Sequence, residues 1–317
     1  MTVNRKSIII SISSYELTKD EKSLIFSKKP WGIILFKRNI KDFNQLKNLT
    51  KSIRNLMNDP YYPIMIDEEG GKVSRLSKLI DNSNYSQNFF GNIFEKNNLL
   101  GLNSYKKYLY FICGFLKELG ININTIPVLD IIKKNTHNVI GNRSYSKKIH
   151  TINSLKDICF NVSRKYKIGS VSKHIPGHGC SNVDTHKKLA VTKDSLKTLL
   201  KNDFKTFKNI HSEFAMTAHI VYQKIDPVNT ATHSKTVIKE IIRNKLGFKG
   251  ILISDDISMG ALSSNILYNA KRALFSGCNL VLYCKGNIKE SSLLLNNLSD
   301  IDNLTTKKTS EFYSFLR

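Results

Sequence analysis

The sequence predicts one α/β domain spanning residues 1–317, folded as a closed (β/α)8 barrel of the TIM type. Three observations carry that expectation. Short apolar, β-branched runs recur eight times along the 317 residues. Most are continuous rather than alternating, as in strands buried on both faces. The segments between them have helical spacing, so strand and helix alternate at the rhythm, and within the length, of a barrel. A doubly wound open sheet shares this rhythm, but no GxGxxG follows the first run.

The expected strands are "SIIISI" (7–12), "WGIILF" (31–36), "YPIMID" (62–67), "INTIPVLD" (123–130), "IGSVSKH" (168–174), "FAMTAHI" (214–220), "KGILISDD" (249–256) and "NLVLYC" (279–284). Helices are expected at 44–59, with apolar residues at 46, 49, 53 and 56, and at 105–121, 195–210, 235–250 and 266–279. The fourth ends on glycine, as a helix C-terminus does. Residues 68–122 read as loop plus helix, with no Pro/Ser tract to mark a linker. The polar tail "LSDIDNLTTKKTSEFYSFLR" is expected to end in a short helix packed outside the barrel.

Composition narrows the function. There are 49 Lys+Arg against 25 Asp+Glu, a net charge of +24, which invites a nucleic-acid or anionic-membrane reading. The excess is spread along the chain, mostly as Lys among many Asn and Ile, the residues that AT-rich codons encode. No arginine-rich arm or groove-reading module accompanies it, so no nucleic-acid partner is expected. The five cysteines form no CxxC pair, which argues against thiolate metal sites and for a reducing compartment. The N-terminal stretch is too short and polar for a signal peptide, and no 18-residue apolar run exists. A cytoplasmic monomer with no membrane partner is expected.

If these runs are barrel strands, their last residues meet at the C-terminal face, where barrel enzymes carry their chemistry. Asp67, Asp130, Lys173-His174, His219 and Asp255-Asp256 end five of the eight. Polar strand ends are common; five ending in Asp, His or Lys point to a convergent site. Beyond the fifth strand, "KHIPGHGCSNVDTHKK" holds His174, His178 and His186, three of the chain's eight histidines. Pro176 and Gly177 exclude the regular helix that would aim two of them at one metal, so no metal or other cofactor is expected. A loop histidine suits proton transfer at neutral pH. Asp184 is placed to orient His186, although an Asx turn accounts for it equally well.

Five segments in order carry a resemblance: "IDEEGGKVSRL" (66–76), "VIGNRSYS" (139–146), "KHIPGHGCSNVDTH" (173–186), "MTAHIVY" (216–222) and "SDDISMGAL" (254–262). Together they resemble glycoside hydrolase family 3, in particular its single-domain bacterial β-N-acetylhexosaminidases of the NagZ type. "GIILFKRNI" (32–40) and "SGCNLVLYC" (276–284) extend the likeness over nearly the whole chain. The resemblance implies a TIM barrel in which Asp255 is the nucleophile and His186, paired with Asp184, the acid/base. It places sugar-binding residues at Asp67, Arg75, Arg143, Lys173 and His174. The sequence departs from the family pattern at Glu68 (commonly Gln), Lys72 (commonly Arg) and Asn142 (commonly Asp).

The implied activity is retaining hydrolysis of terminal β-linked N-acetylglucosamine from small saccharide or muropeptide substrates, in peptidoglycan recycling. Of two adjacent aspartates on a strand only one faces the sugar, so Asp256 is expected to hold backbone, and His178 and His219 to brace the pocket. Competing readings are phosphorolysis of the same bond, a metal-dependent barrel hydrolase, and a non-enzymatic anion-binding barrel.

Overall fold

The computed structural model describes residues 4–132, 141–179, 189–262 and 264–317. Among these the strands, in chain order, are β1 (Lys6–Ser11), β2 (Pro30–Leu35), β3 (Ile64–Ile66), β4 (Ile123–Asn124), β5 (Gly169–Ile175), β6 (Ala190–Thr192), β7 (Phe214–Thr217), β8 (Ile220–Tyr222), β9 (Ile251–Asp256) and β10 (Leu280–Tyr283). All but β6 and β8 close into a parallel barrel in the order β1-β10-β9-β7-β5-β4-β3-β2. Every barrel strand overlaps one of the eight apolar runs.

The runs are continuous because each strand has two dry faces. Ile9, Trp31, Ile34, Met65, Ile123, Val171, Phe214 and Ile253 fill the barrel interior. Their neighbours Ile8, Ile10, Ile33, Leu35, Ile64 and Ile66 face the surrounding helices. Fully burying one such side chain contributes roughly 1.5–3 kcal/mol, so both faces of the sheet stabilise closure.

The helices are α1 (Lys19–Lys28), α2 (Phe43–Met57), α3 (Gln87–Lys96), α4 (Asn98–Glu118), α5 (Ile149–Tyr166), α6 (Leu196–Lys201), α7 (Ile266–Ser276), α8 (Ile288–Asn297) and α9 (Asn303–Leu316). α1 starts in a capping box: Thr18 Oγ1 accepts from Glu21 N at 3.1 Å and Glu21 Oε2 from Thr18 N at 2.9 Å. α2 buries Leu46, Leu49 and Ile53, the stripe its spacing announced. Residues Val237–Lys245 are also helical and run into Gly247 at φ +72°. None of the described helices is long and apolar enough to cross a membrane.

Three expectations need correction. The helix expected at 195–210 stops at Lys201, because Asn202 leaves helical geometry (φ −118°, ψ −99°). The break lets Asp203, Phe204 and Phe207 all turn inward, and Thr206 Oγ1 donates to Leu129 O at 2.8 Å. The run 214–220 is two strands, since β8 leaves the barrel to pair with β6. Finally, the tail does not lie outside the barrel wall. Its 14-residue helix α9 closes the N-terminal mouth. Phe312 stacks on Trp31 (centroids 6.2 Å apart) and meets Phe214 edge-on at 4.8 Å. Trp31 Nε1 donates to Thr309 Oγ1 at 2.9 Å. Beside this plug the buried Arg5 pairs with Asp59, whose Oδ2 also accepts from Tyr313 Oη at 2.6 Å.

Candidate active site

The parallel barrel gathers its C-terminal strand ends around one cavity of about 150 Å³, lined among others by Asp67, Arg75, Arg143, Lys173, His174 and Asp255. These six are the expected site residues that fall among the described positions. His186 and Asp184, expected as acid/base and its partner, lie outside the described residues. The cavity is smaller than the ~300–1,000 Å³ typical of drug-sized ligands, which suits a single ring with the rest of a ligand outside. A larger groove of about 590 Å³ at the opposite end of the barrel is lined by Arg164, His211, Lys249 and Glu311. These four are exposed to water.

Each side chain has an evident support. Asp67 follows β3, and its Oδ2 takes Arg75 Nη2 at 2.8 Å while Oδ1 accepts from Thr125 Oγ1 and lies 3.4 Å from Lys173 Nζ. Lys173 Nζ, on β5, also sits 2.6 Å from Glu69 Oε1 and 2.7 Å from Thr125 Oγ1. Glu69 in turn takes Arg143 through two bonds, Nε to Oε2 at 2.8 Å and Nη2 to Oε1 at 2.9 Å. Such a bidentate pair fixes the guanidinium plane. His174 Nδ1 meets Asp130 Oδ2 at 2.7 Å, and Arg143 Nη2 lies 3.5 Å from its Nε2. That pairing directs the Nδ1–H to Asp130 and turns Nε2 toward the cavity.

The charges hold one another ionised. Burial pushes Asp67 up, but Lys173, Arg75 and the Thr125 hydroxyl more than reverse it, leaving the group well below the usual carboxylate range. Burial acts on Glu69 in the same sense and is overcome by Arg143 and Lys173, which hold it down at about 2. For Asp255 burial again opposes ionisation, while His219, His174, the Asp256 N–H and Lys173 prevail and lower its pKa. Asp256 N donates to Asp255 Oδ1 at 2.8 Å, leaving Oδ2 as the second oxygen of a rigidly held, ionised carboxylate.

The neighbouring Asp256 behaves otherwise. Its oxygens accept from Ser258 N at 3.1 Å, Ser258 Oγ at 2.8 Å and Cys284 N at 3.3 Å, so it braces backbone, and burial raises its pKa. His219 stands behind it, with Nδ1 2.7 Å from Thr232 Oγ1 and Nε2 3.0 Å from Asp256 O. His178 lines the cavity itself, with its backbone N–H donating to Asp130 Oδ1 at 2.6 Å.

Sequence reasoning assigned no role to Glu69 or Asp130. Glu69 reads as one acid in a loop, yet it is fully buried and joins two of the expected sugar-binding cations. Its separation from Asp67 by two positions was the available signal. Asp130 was expected at the end of a strand over 123–130, but β4 stops at Asn124 and Asp130 lies beyond it. Its function as the acceptor for the His174 ring and the His178 N–H needs the fold to be seen.

The buried imidazoles give a pH prediction. Burial pushes His178 down to about 4, against the opposing field of Asp130; His233 is likewise pushed down to about 4, and His219 is lowered. An unfolded chain protonates all three near 6.5, so between pH 4 and 6.5 it binds more protons than the folded one. Stability therefore rises with pH through this window and is lost as the pH falls. The full difference for a group displaced this far is about 3 kcal/mol. The melting temperature should decline between pH 6.5 and 5, above the carboxylate range, and His233→Asn should make the decline shallower. A flat profile would contradict neutral buried imidazoles.

Residues 3–310 match the glycosyl hydrolase family 3 N-terminal domain. The chain is 32% identical to a β-hexosaminidase of Psychromonas ingrahamii, over 98% of this chain and 89% of the relative. It is 31% identical to a β-hexosaminidase of Nitrosomonas eutropha, over 90% of this chain and 83% of the relative. Among solved structures, NagZ from Neisseria gonorrhoeae in complex with N-trifluoroacetyl-D-glucosamine superposes with a TM-score of 0.86 at 28% identity, covering 99% of this chain and 91% of that one.

Proposed function

The chain belongs to glycosyl hydrolase family 3, and from that premise we propose that it is a retaining exo-β-N-acetylglucosaminidase. The observation that carries the reading is Asp255: a carboxylate on a barrel strand, kept ionised, at the wall of a cavity sized for one ring. A nucleophile that must meet one carbon atom gains from such rigidity.

The reaction runs in two steps through an oxocarbenium-like transition state. Asp255 attacks the anomeric carbon and the bond to the aglycone oxygen breaks, while His186 gives that oxygen its proton. Water then attacks the same carbon, His186 takes the water's proton, and Asp255 departs as a carboxylate. Two inversions retain the β configuration. Retaining enzymes commonly use a second carboxylate ~5–5.5 Å from the first. Asp256 is unsuited to that part because its oxygens are engaged by Ser258 and Cys284. In this reading His186, with Asp184 as its partner, takes that part instead.

Asp67 accepts from the sugar's outer hydroxyls, and Arg75, Arg143 and Lys173 donate to hydroxyls or the acetamido oxygen. The substrates we favour are peptidoglycan recycling fragments, in which N-acetylglucosamine is linked to 1,6-anhydro-N-acetylmuramic acid and its peptides. The unpaired cysteines Cys113, Cys159, Cys278 and Cys284 fit a cytoplasmic setting.

Release from a chromogenic N-acetyl-β-D-glucosaminide, set against the plain glucoside, tests the activity; absence of turnover on the former overturns it. A leaving-group series tests the acid. His186→Ala should slow glycosylation of poor leaving groups by about 10²-fold or more while sparing activated phenols. Equal losses on both would remove His186 from the role.

A further inference from the structure

Glu68 stands between Asp67 and Glu69 in sequence, but its side chain leaves the cavity and is buried behind it, 1% exposed. No lysine or arginine among the described residues lies within ion-pair distance of it. Its carboxylate is given over to the loop instead. Oε2 accepts from Arg75 N at 2.9 Å, Leu76 N at 2.9 Å and Ser74 Oγ at 3.2 Å, and Oε1 accepts from Asn82 Nδ2. The residue itself is clamped to β4, its N–H donating to Asn124 Oδ1 at 3.0 Å and its carbonyl accepting from Asn124 Nδ2 at 2.9 Å.

A buried carboxylate without a cation is costly, and here every contact it makes fixes the returning limb of one loop. Two consecutive backbone points, Arg75 and Leu76, are held by the same carboxylate oxygen at 2.9 Å each. From the first of these the guanidinium crosses to Asp67 at 2.8 Å and lies over the Phe36 ring, 5.0 Å from its centroid.

We propose that Glu68 is a positioning residue, which sets the backbone from which Arg75 presents its guanidinium to the sugar. The inference rests on the reading of Arg75 as a substrate contact. The structure also indicates which replacement is tolerated. Asn82 Oδ1 is buried without a partner. With the Asn82 amide turned over, a glutamine at 68 would donate from Nε2 to that oxygen while its own Oε1 takes the loop N–H groups. Alanine would leave those N–H groups unpaired.

The test is a double-mutant cycle on kcat/KM for a chromogenic N-acetylglucosaminide, with melting curves to verify folding. Arg75→Ala and Glu68→Ala should each cost about 10- to 100-fold, a displacement of order 1 Å being enough for the latter. The Glu68→Ala/Arg75→Ala double variant should be no worse than Arg75→Ala alone to within about 2-fold, the mark of one residue acting through the other. Glu68→Gln should stay within about 3-fold of wild type, a rescue that mere loss of stability would not select. If Glu68→Ala does not fold, Glu68→Asp takes its place in the same cycle, since the shorter acid cannot reach the Arg75 and Leu76 N–H groups. Losses that multiply, an unaffected Glu68→Ala, or a Glu68→Gln as damaged as alanine would each overturn the proposal. An unaffected Arg75→Ala would instead strike the substrate-contact reading on which it stands.

Discussion

Asp255→Ala should give a folded barrel whose turnover falls by ~10⁴-fold or more, about 5 kcal/mol of lost barrier lowering. The side chain leaves little behind that could disturb packing. Its carboxylate takes a hydrogen bond from the next residue's N–H, and the strand ladders of β9 with β7 and β10 do not depend on it. Circular dichroism and melting should therefore resemble wild type while hydrolysis of the chromogenic substrate disappears. Azide added to the variant should enter from the face the carboxylate vacated and give the α-glycosyl azide, restoring release of the phenol. A loss below ~10²-fold, or rescue giving the β product, would be incompatible with Asp255 as nucleophile.

Lys173→Met should be the most damaging of the binding-site substitutions to the fold itself. The ammonium is 3% exposed and serves two carboxylates, the buried Glu69 at 2.6 Å and the half-buried Asp67 at 3.4 Å. Removing one partner of a buried ionic set leaves uncompensated charge and costs about 3–5 kcal/mol. For a chain of this size that is a fall in melting temperature of roughly 10 °C. Adding Glu69→Gln should deepen the loss rather than relieve it, because the buried Arg143 guanidinium then loses its bidentate partner. If the double variant is more stable than Lys173→Met, pairing within the ion network is not the source of the effect.

The barrel was legible because its signal is repeated eight times: a strand packed on both sides must be apolar throughout, and nothing else in the chain imitates that. The catalytic face was legible for a related reason, since parallel strands deliver all their last residues to one end. Where reading failed, the missing information was spatial. Helical spacing at 199, 200, 204 and 207 is real, yet the chain breaks at Asn202 so that Asp203 and both phenylalanines turn inward. The tail looked like a surface helix because only Phe312 and Leu316 of its sequence are buried against the interior. Glu69 and Asp130 carry no local mark of their partners, which arrive from positions 143 and 173 and from 174 and 178. Pairing across such distances is set by topology, not by neighbours in sequence.

Asp59 has a consequence beyond local packing. One carboxylate receives Arg5 from the start of the described chain and Tyr313 from its last helix. Ser7 N–H donates to Ser299 O at 3.1 Å, and β1 pairs directly with β10. Connectivity is thus a loop with a seam, and the cyclic order of its strand–helix units is the same wherever the seam is cut. A version with its two ends linked on this side and opened at a distant surface turn should keep the strand order that gathers Asp67, Lys173 and Asp255 at the opposite mouth.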